Sequence, residues 1–113
     1  MISQSLTMLF WLLVGHALAD YPAQGTFLAR AKNHRNPIAG ISPTICLIAH
    51  CLIQAGMVAY VTGRIWLGVA EFIAHGIIDW LKCDERITFT QDQTMHVLCK
   101  ITWMFICVSG MQL

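Results

Sequence analysis

Three histidines in this chain have an aspartate four residues away: His16 with Asp20, His75 with Asp79, and His96 with Asp92. A fourth, His50, lies alone in an apolar stretch. Residues four apart share one face of a helix, so each pair points an imidazole and a carboxylate the same way. Neutral imidazoles and carboxylates together suit zinc, manganese or iron. Four histidines and three aspartates exceed one tetrahedral shell. Either some aspartates orient histidines from behind, or there are two ions. A metal with one open position generates hydroxide at neutral pH. The candidate ligands are therefore His16, His50, His75, His96 and Asp79, and the candidate catalytic carboxylates are Asp20, Asp79 and Asp92. Two other chemistries use the same residues: a hydrogen-bonded network that locks helices together, and a proton or ion path.

The elements that must position these groups are apolar. The 113 residues form one domain, 57% hydrophobic and 12% charged. Soluble domains are about 45–50% apolar and about 25% charged, so the composition points to a membrane. A net charge of +1, with no basic run interleaved with aromatics, excludes nucleic acid as a partner. Five cysteines without a CxxC do not make a disulfide framework.

A spanning helix needs about 20 mostly apolar residues. Four segments qualify, over about 2–21, 43–62, 64–83 and 91–112, with a polar loop at 22–42. The expected fold is an all-α integral membrane bundle of four transmembrane helices, with a short interfacial helix after the first. Pro22 stops the first span. Ala17-Leu-Ala19 before Asp20 has the look of a signal-peptidase site, but the basic region of a secretory signal is missing. Phe27, Leu28 and Ala31 predict a short amphipathic turn. Ser42 with Pro43 opens the second span, and Gly63 closes it. Thr90 with Gln93 has the form of a capping box for the fourth. Trp66 and Trp80 are placed as interfacial anchors, while Trp11 and Trp103 read as packing or lipid-facing residues.

Threading this topology brings the seven His/Asp residues to one level, within about 12 Å of one membrane boundary. Arg30, Lys32, Arg35, Lys82 and Arg86 share that side, against Arg64 on the other. The positive-inside rule then sets the loops in the cytoplasm and both termini outside. Glu71 continues the stripe of His75 and Asp79, and Lys100 continues that of Asp92 and His96. Antiparallel neighbours would bring Glu71 and Lys100 within about one turn.

Gly15-His-Ala-Leu-Ala-Asp-Tyr-Pro-Ala-Gln24, Ala49-His-Cys-Leu-Ile53, His75-Gly-Ile-Ile-Asp-Trp-Leu-Lys82 and Asp92-Gln-Thr-Met-His96 together resemble the small bacterial and bacteriophage membrane proteins grouped as domain of unknown function 3307. The resemblance runs from about residue 9 to 100. It implies a multi-pass helical protein of a bacterial inner membrane, or of the host membrane for a phage-encoded copy. It places Gln24, Lys32, Lys82 and Gln93 beside the His/Asp residues at the motif positions, so Gln24, Glu71, Lys82, Gln93 and Lys100 are the candidate polar surround. The family often carries a second histidine one turn after the position of His50. Gln54 occupies that neighbourhood here, which counts against a ligand at that place.

The leading functional expectation is a metal-dependent hydrolase of a lipid or lipid-linked substrate. The competing one is a non-enzymatic membrane module, a phage factor or scaffold, whose network is structural. The lipid bilayer is the expected partner in both, with a homo-oligomer or a membrane partner left open.

Overall fold

A computed structural model describes residues 2–110. Five helices follow one another: α1 (Ile2–Asp20), α2 (Gly25–Ala31), α3 (Pro43–Thr62), α4 (Ile65–Cys83) and α5 (Phe89–Val108). No strand occurs among the described residues. Among the described residues, only α1 and α3 are both long enough and apolar enough to cross a membrane on their own composition.

The boundaries follow local chemistry. Ser42 accepts a hydrogen bond from the Ile45 amide, with Pro43 at the first helical position. Gly63 takes a left-handed φ of 69° and turns the chain directly from α3 into α4. The helix α5 starts two residues earlier than its capping pattern predicts. Thr88, not Thr90, caps it, and Gln91 closes the box by bonding the Thr88 amide. Both threonines sit three residues before a glutamine, so pattern alone does not separate them. The described part of α5 ends at Val108, and Met111 and Gln112 of the predicted fourth span lie outside the described residues.

The four long helices pack in the cyclic order α1, α3, α4, α5, each touching two neighbours, while α2 lies against α3. Every long helix turns one stripe at four-residue steps toward the axis. The stripes are Leu12–His16–Asp20, Val58–Gln54–His50–Cys46, Leu67–Glu71–His75–Asp79 and Met104–Lys100–His96–Asp92, all buried. The bundle is therefore layered. Leu12, Val58, Leu67 and Met104 form an apolar core at one end, and the polar residues fill the interior toward the other. Large apolar side chains cover the outside, with Ile65 77% and Tyr60 88% exposed.

The helices α3 and α4 approach closely at Gly68. A Cβ there would lie 2.8 Å from the Ala55 carbonyl oxygen and 2.9 Å from the Ala59 Cβ. This contact fixes the spacing of the helices that carry His50 and His75.

Candidate metal centre

His75 sits at the middle of the polar layers. Its Nδ1 donates to Glu71 Oε1 at 3.1 Å. With that proton committed, Nε2 of the neutral ring carries a lone pair. This Nε2 faces His50 Nε2 at 3.1 Å, Asp79 Oδ2 at 3.5 Å and Asp20 Oδ1 at 3.8 Å. His50 Nε2 in turn lies 3.2 Å from Asp20 Oδ1 and 3.3 Å from Asp79 Oδ2. Two imidazole nitrogens from α3 and α4 thus face each other, with a carboxylate oxygen from α1 and one from α4 each within reach of both. One imidazole N–H cannot satisfy three acceptors. Such a donor set could hold a divalent cation.

A second group adjoins the first through Asp79. Its Oδ1 lies 3.0 Å from His96 Nε2, which is 3.3 Å from Asp92 Oδ1. Asp92 Oδ1 is buried without a hydrogen-bond partner. The His75 and His96 rings stack at 4.0 Å between centroids. Asp20, His50 and His75 form one set close enough to share an ion, and Asp79, Asp92 and His96 form another.

The surround aims these groups. Gln93 Nε2 donates to Asp20 Oδ2 at 2.7 Å and to Asp92 Oδ2 at 3.0 Å, leaving each Oδ1 turned inward. Gln54 Nε2 donates to Asp20 Oδ1 at 3.2 Å, and Gln24 holds the Asp20 backbone carbonyl. Lys32 Nζ reaches Asp79 Oδ2 at 2.6 Å. Behind His75, Glu71 is fully buried and takes Lys100 Nζ at 2.5 Å and Trp103 Nε1 at 2.6 Å. This is the pairing that the antiparallel stripes predict.

The structure therefore gathers His50, His75, His96, Asp20, Asp79 and Asp92 at the centre. His16 stands one step outside: its Nε2 donates to Gln93 Oε1 at 3.1 Å, 3.8 Å from Asp20 Oδ2. Lys82 lines a cavity of about 270 Å³ whose wall includes Asp20, Lys32, Asp79, Asp92 and Gln93. This cavity connects the carboxylates to the outside at the α2 end. Trp103 is a functional neighbour that periodicity does not single out, whereas Gln54 lies four residues from His50 on the same stripe. The indole N–H needs a partner when it turns inward, and this was the available signal.

Outside the helices, Asp84 ties the 22–42 stretch to the end of α4. It accepts from Arg86, Arg35 and His34 at 2.7, 2.8 and 3.0 Å. Hydrogen bonds from Arg86, then Arg35, then His34, hold its carboxyl well below the usual carboxylate range. The same pairing raises Arg35. His34 stacks flat on Trp80, with centroids 4.7 Å apart. Lys32 is delivered to Asp79 by this strap.

A family model described as a protein of unknown function (DUF3307) matches residues 8–112. It spans the whole stretch on which the resemblance in the motifs rests. No curated protein and no solved structure matches the chain.

Proposed function

We propose that this chain, which belongs to the DUF3307 family, is a membrane-embedded metal hydrolase acting at one leaflet on a lipid or lipid-linked ester or phosphoester. The observation that carries this reading is the convergence of His50 Nε2, His75 Nε2, Asp20 Oδ1 and Asp79 Oδ2, with separations of 3.1–3.8 Å. Bonds of about 2.0–2.1 Å to a tetrahedral ion set its ligand atoms about 3.3–3.4 Å apart, and the five separations that involve a histidine nitrogen straddle that value. Charge supports the same conclusion. Four carboxylates (Asp20, Glu71, Asp79, Asp92) meet two ammonium groups (Lys32, Lys100) in or beside the interior. With every imidazole neutral the deficit is two charges, which is costly in an apolar bundle and which one zinc, manganese or iron(II) ion would close, as two imidazolium protons would.

A divalent ion there lowers the pKa of a bound water to about 7 and supplies hydroxide. The oxygen adds to the ester carbon or phosphorus, the bond to the leaving oxygen breaks, and that oxygen takes a proton, giving an acid and an alcohol. Glu71 fixes the His75 tautomer, and Gln93 fixes the carboxylates. Lys32 and Lys82 border the access cavity and suit an anionic headgroup.

The membrane part of the reading rests on the inverted distribution of polarity. On α4 the outer stripe is Ile65, Val69, Ile73 and Ile77, all exposed, while the inner one is Leu67, Glu71, His75 and Asp79. The charges that lower the mean hydropathy of α4 and α5 face the bundle, so all four long helices present an apolar surface to lipid. The site end carries Arg30, Lys32, Arg35, Lys82 and Arg86, and the positive-inside rule supports a cytoplasmic orientation for it.

Protein extracted into detergent should carry zinc, manganese or iron by elemental analysis, and His50→Ala or His75→Ala should lose it. Wild type should hydrolyse a lipid phosphoester in vesicles, and a chelator should abolish the turnover. A folded, metal-stripped protein that still turns over would overturn the reading.

A further inference from the structure

We propose that the centre is dinuclear, with Asp79 bridging a second divalent ion held by Asp92 and His96, and that a phosphodiester is the substrate class it takes. The inference rests on the metal reading above. It starts from the two oxygens of Asp79, which face different ligand sets. Its Oδ2 faces His50 Nε2 at 3.3 Å and His75 Nε2 at 3.5 Å and takes Lys32 Nζ at 2.6 Å, and its Oδ1 faces His96 Nε2 at 3.0 Å. A carboxylate so placed would bind one ion through each oxygen, with Lys32 sharing Oδ2.

The spacing of the two sites is set independently by the histidines. The His75 and His96 rings stack at 4.0 Å, with planes 20° apart. Each ring turns its Nε2 to a different oxygen of Asp79. Ions bound at the two Nε2 atoms would therefore lie about one ring spacing apart, in the range of about 3.5–4 Å typical of two-metal hydrolytic sites.

A third observation comes from Asp92. Its carboxylate is buried, Oδ2 accepts from Gln93 Nε2 at 3.0 Å, and Oδ1 has no hydrogen-bond partner while lying 3.3 Å from His96 Nε2. Burying an acceptor without a partner is unfavourable, and an ion shared with His96 supplies one. Gln93 donates one N–H to the outer oxygen of each of Asp20 and Asp92. The inner oxygen of Asp20 also accepts from Gln54 Nε2 at 3.2 Å, whereas that of Asp92 is left unpaired. A first-turn capping role for Asp92 explains the carboxylate but not an unpaired inner oxygen beside His96.

Charge then selects the substrate. The protein groups leave a deficit of two, and two divalent ions overfill it by two. The nucleophilic hydroxide removes one of these, leaving one positive charge. A phosphodiester carries one negative charge and a carboxylic ester none, so the diester closes the balance. In the reaction hydroxide oxygen bonds to phosphorus, the bond from phosphorus to one ester oxygen breaks, and that oxygen leaves as the protonated alcohol. The products are a phosphomonoester and an alcohol.

The test is metal stoichiometry on full-length protein in detergent, loaded with manganese(II) or zinc(II) and freed of excess ion. Wild type should hold two ions per chain, and the manganese form should give the spin-coupled EPR signal of a close pair. Asp92→Asn and His96→Ala should hold one, with the coupled signal lost and the fold retained by circular dichroism. Of the two, Asp92→Asn keeps the shape and the Gln93 contact if His96→Ala fails to fold. One ion per chain in saturated wild type overturns this inference and leaves the mononuclear reading intact, whereas none overturns both. Two ions retained in Asp92→Asn overturn the assigned ligands. Hydrolysis of vesicle carboxylic esters but not phosphodiesters overturns the substrate class.

Discussion

At the residue scale, the recurring His–Asp spacing already marked most of the centre, because a four-residue step keeps groups on one helix face whatever the packing. It could not rank them. His16 has an aspartate four residues on and His50 has none, yet His50 meets His75 and the carboxylates while His16 turns to Gln93. That difference depends on helix rotation, which spacing does not encode. Lys32 was legible only through family motifs, since it sits in a polar loop whose path to Asp79 is long-range. The Glu71–Lys100 pair was legible because two stripes and one antiparallel crossing define it. With Lys100 1% exposed and Glu71 fully buried, removing one partner should be expensive. Lys100→Met should lower unfolding free energy in detergent by about 3–5 kcal/mol, the cost of an uncompensated buried charge. Adding Glu71→Gln to it should recover most of the loss. The two unfolding curves of metal-free protein decide the matter. A double variant no more stable than Lys100→Met would mean that the pair is not electrostatically coupled.

At the element scale, capping chemistry located α3 from Ser42, Pro43 and Gly63, all local signals that the fold retains. It misplaced the start of α5 by two residues, because Thr88 and Thr90 offer the same pattern and the choice between them depends on the preceding turn. Gly63 and the immediate restart of the next segment made the close α3–α4 hairpin legible; what local signals missed is the close approach at Gly68. Gly68 reads as an ordinary helical glycine, but it admits the Ala55 carbonyl and the Ala59 methyl at distances a Cβ would violate. Gly68→Leu should force the helices apart, destabilising the fold by about 1–3 kcal/mol as overpacking does. It should also separate His50 from His75, so metal content should fall although neither ligand is altered. Gly56 is the control. It faces open space, and Gly56→Ala should be neutral or stabilise by up to about 1 kcal/mol through helix propensity. Unfolding and elemental analysis of both variants check this. Full metal occupancy in a folded Gly68→Leu protein would show that the α3–α4 spacing does not set the site.

At the scale of the whole molecule, the chain is built with its polar side inward. His50, Gln54, Glu71, His75, His96 and Lys100 are at most 1% exposed, while large apolar residues cover every long helix. In water this arrangement would leave far more apolar surface exposed than a monomeric soluble domain normally tolerates. In a bilayer the same surface is solvated by lipid, and the interior charges need only one another and a cation. The long helices have 19–20 residues, or about 30 Å at 1.5 Å per residue, which matches a hydrocarbon core of about 30 Å. Sequence patterning reached the bundle because the stripes are strongly periodic. Composition alone singles out α1 and α3, because averaging over a helix cannot tell a charge that faces lipid from one that faces a partner. The expected outcome is that the protein sediments with membranes and resists extraction by alkaline carbonate. The basic residues at the site end predict an orientation with both termini outside the cytoplasm. Alkaline phosphatase fused after Val108 should then be active in a bacterial host, and a fluorescent protein that matures only in the cytoplasm should stay dark there. A fusion placed at Arg35 should give the reverse. Recovery of the chain in the soluble fraction would sink the membrane reading, and cytoplasmic activity of the C-terminal fusion would invert the orientation and move the metal centre to the outer face.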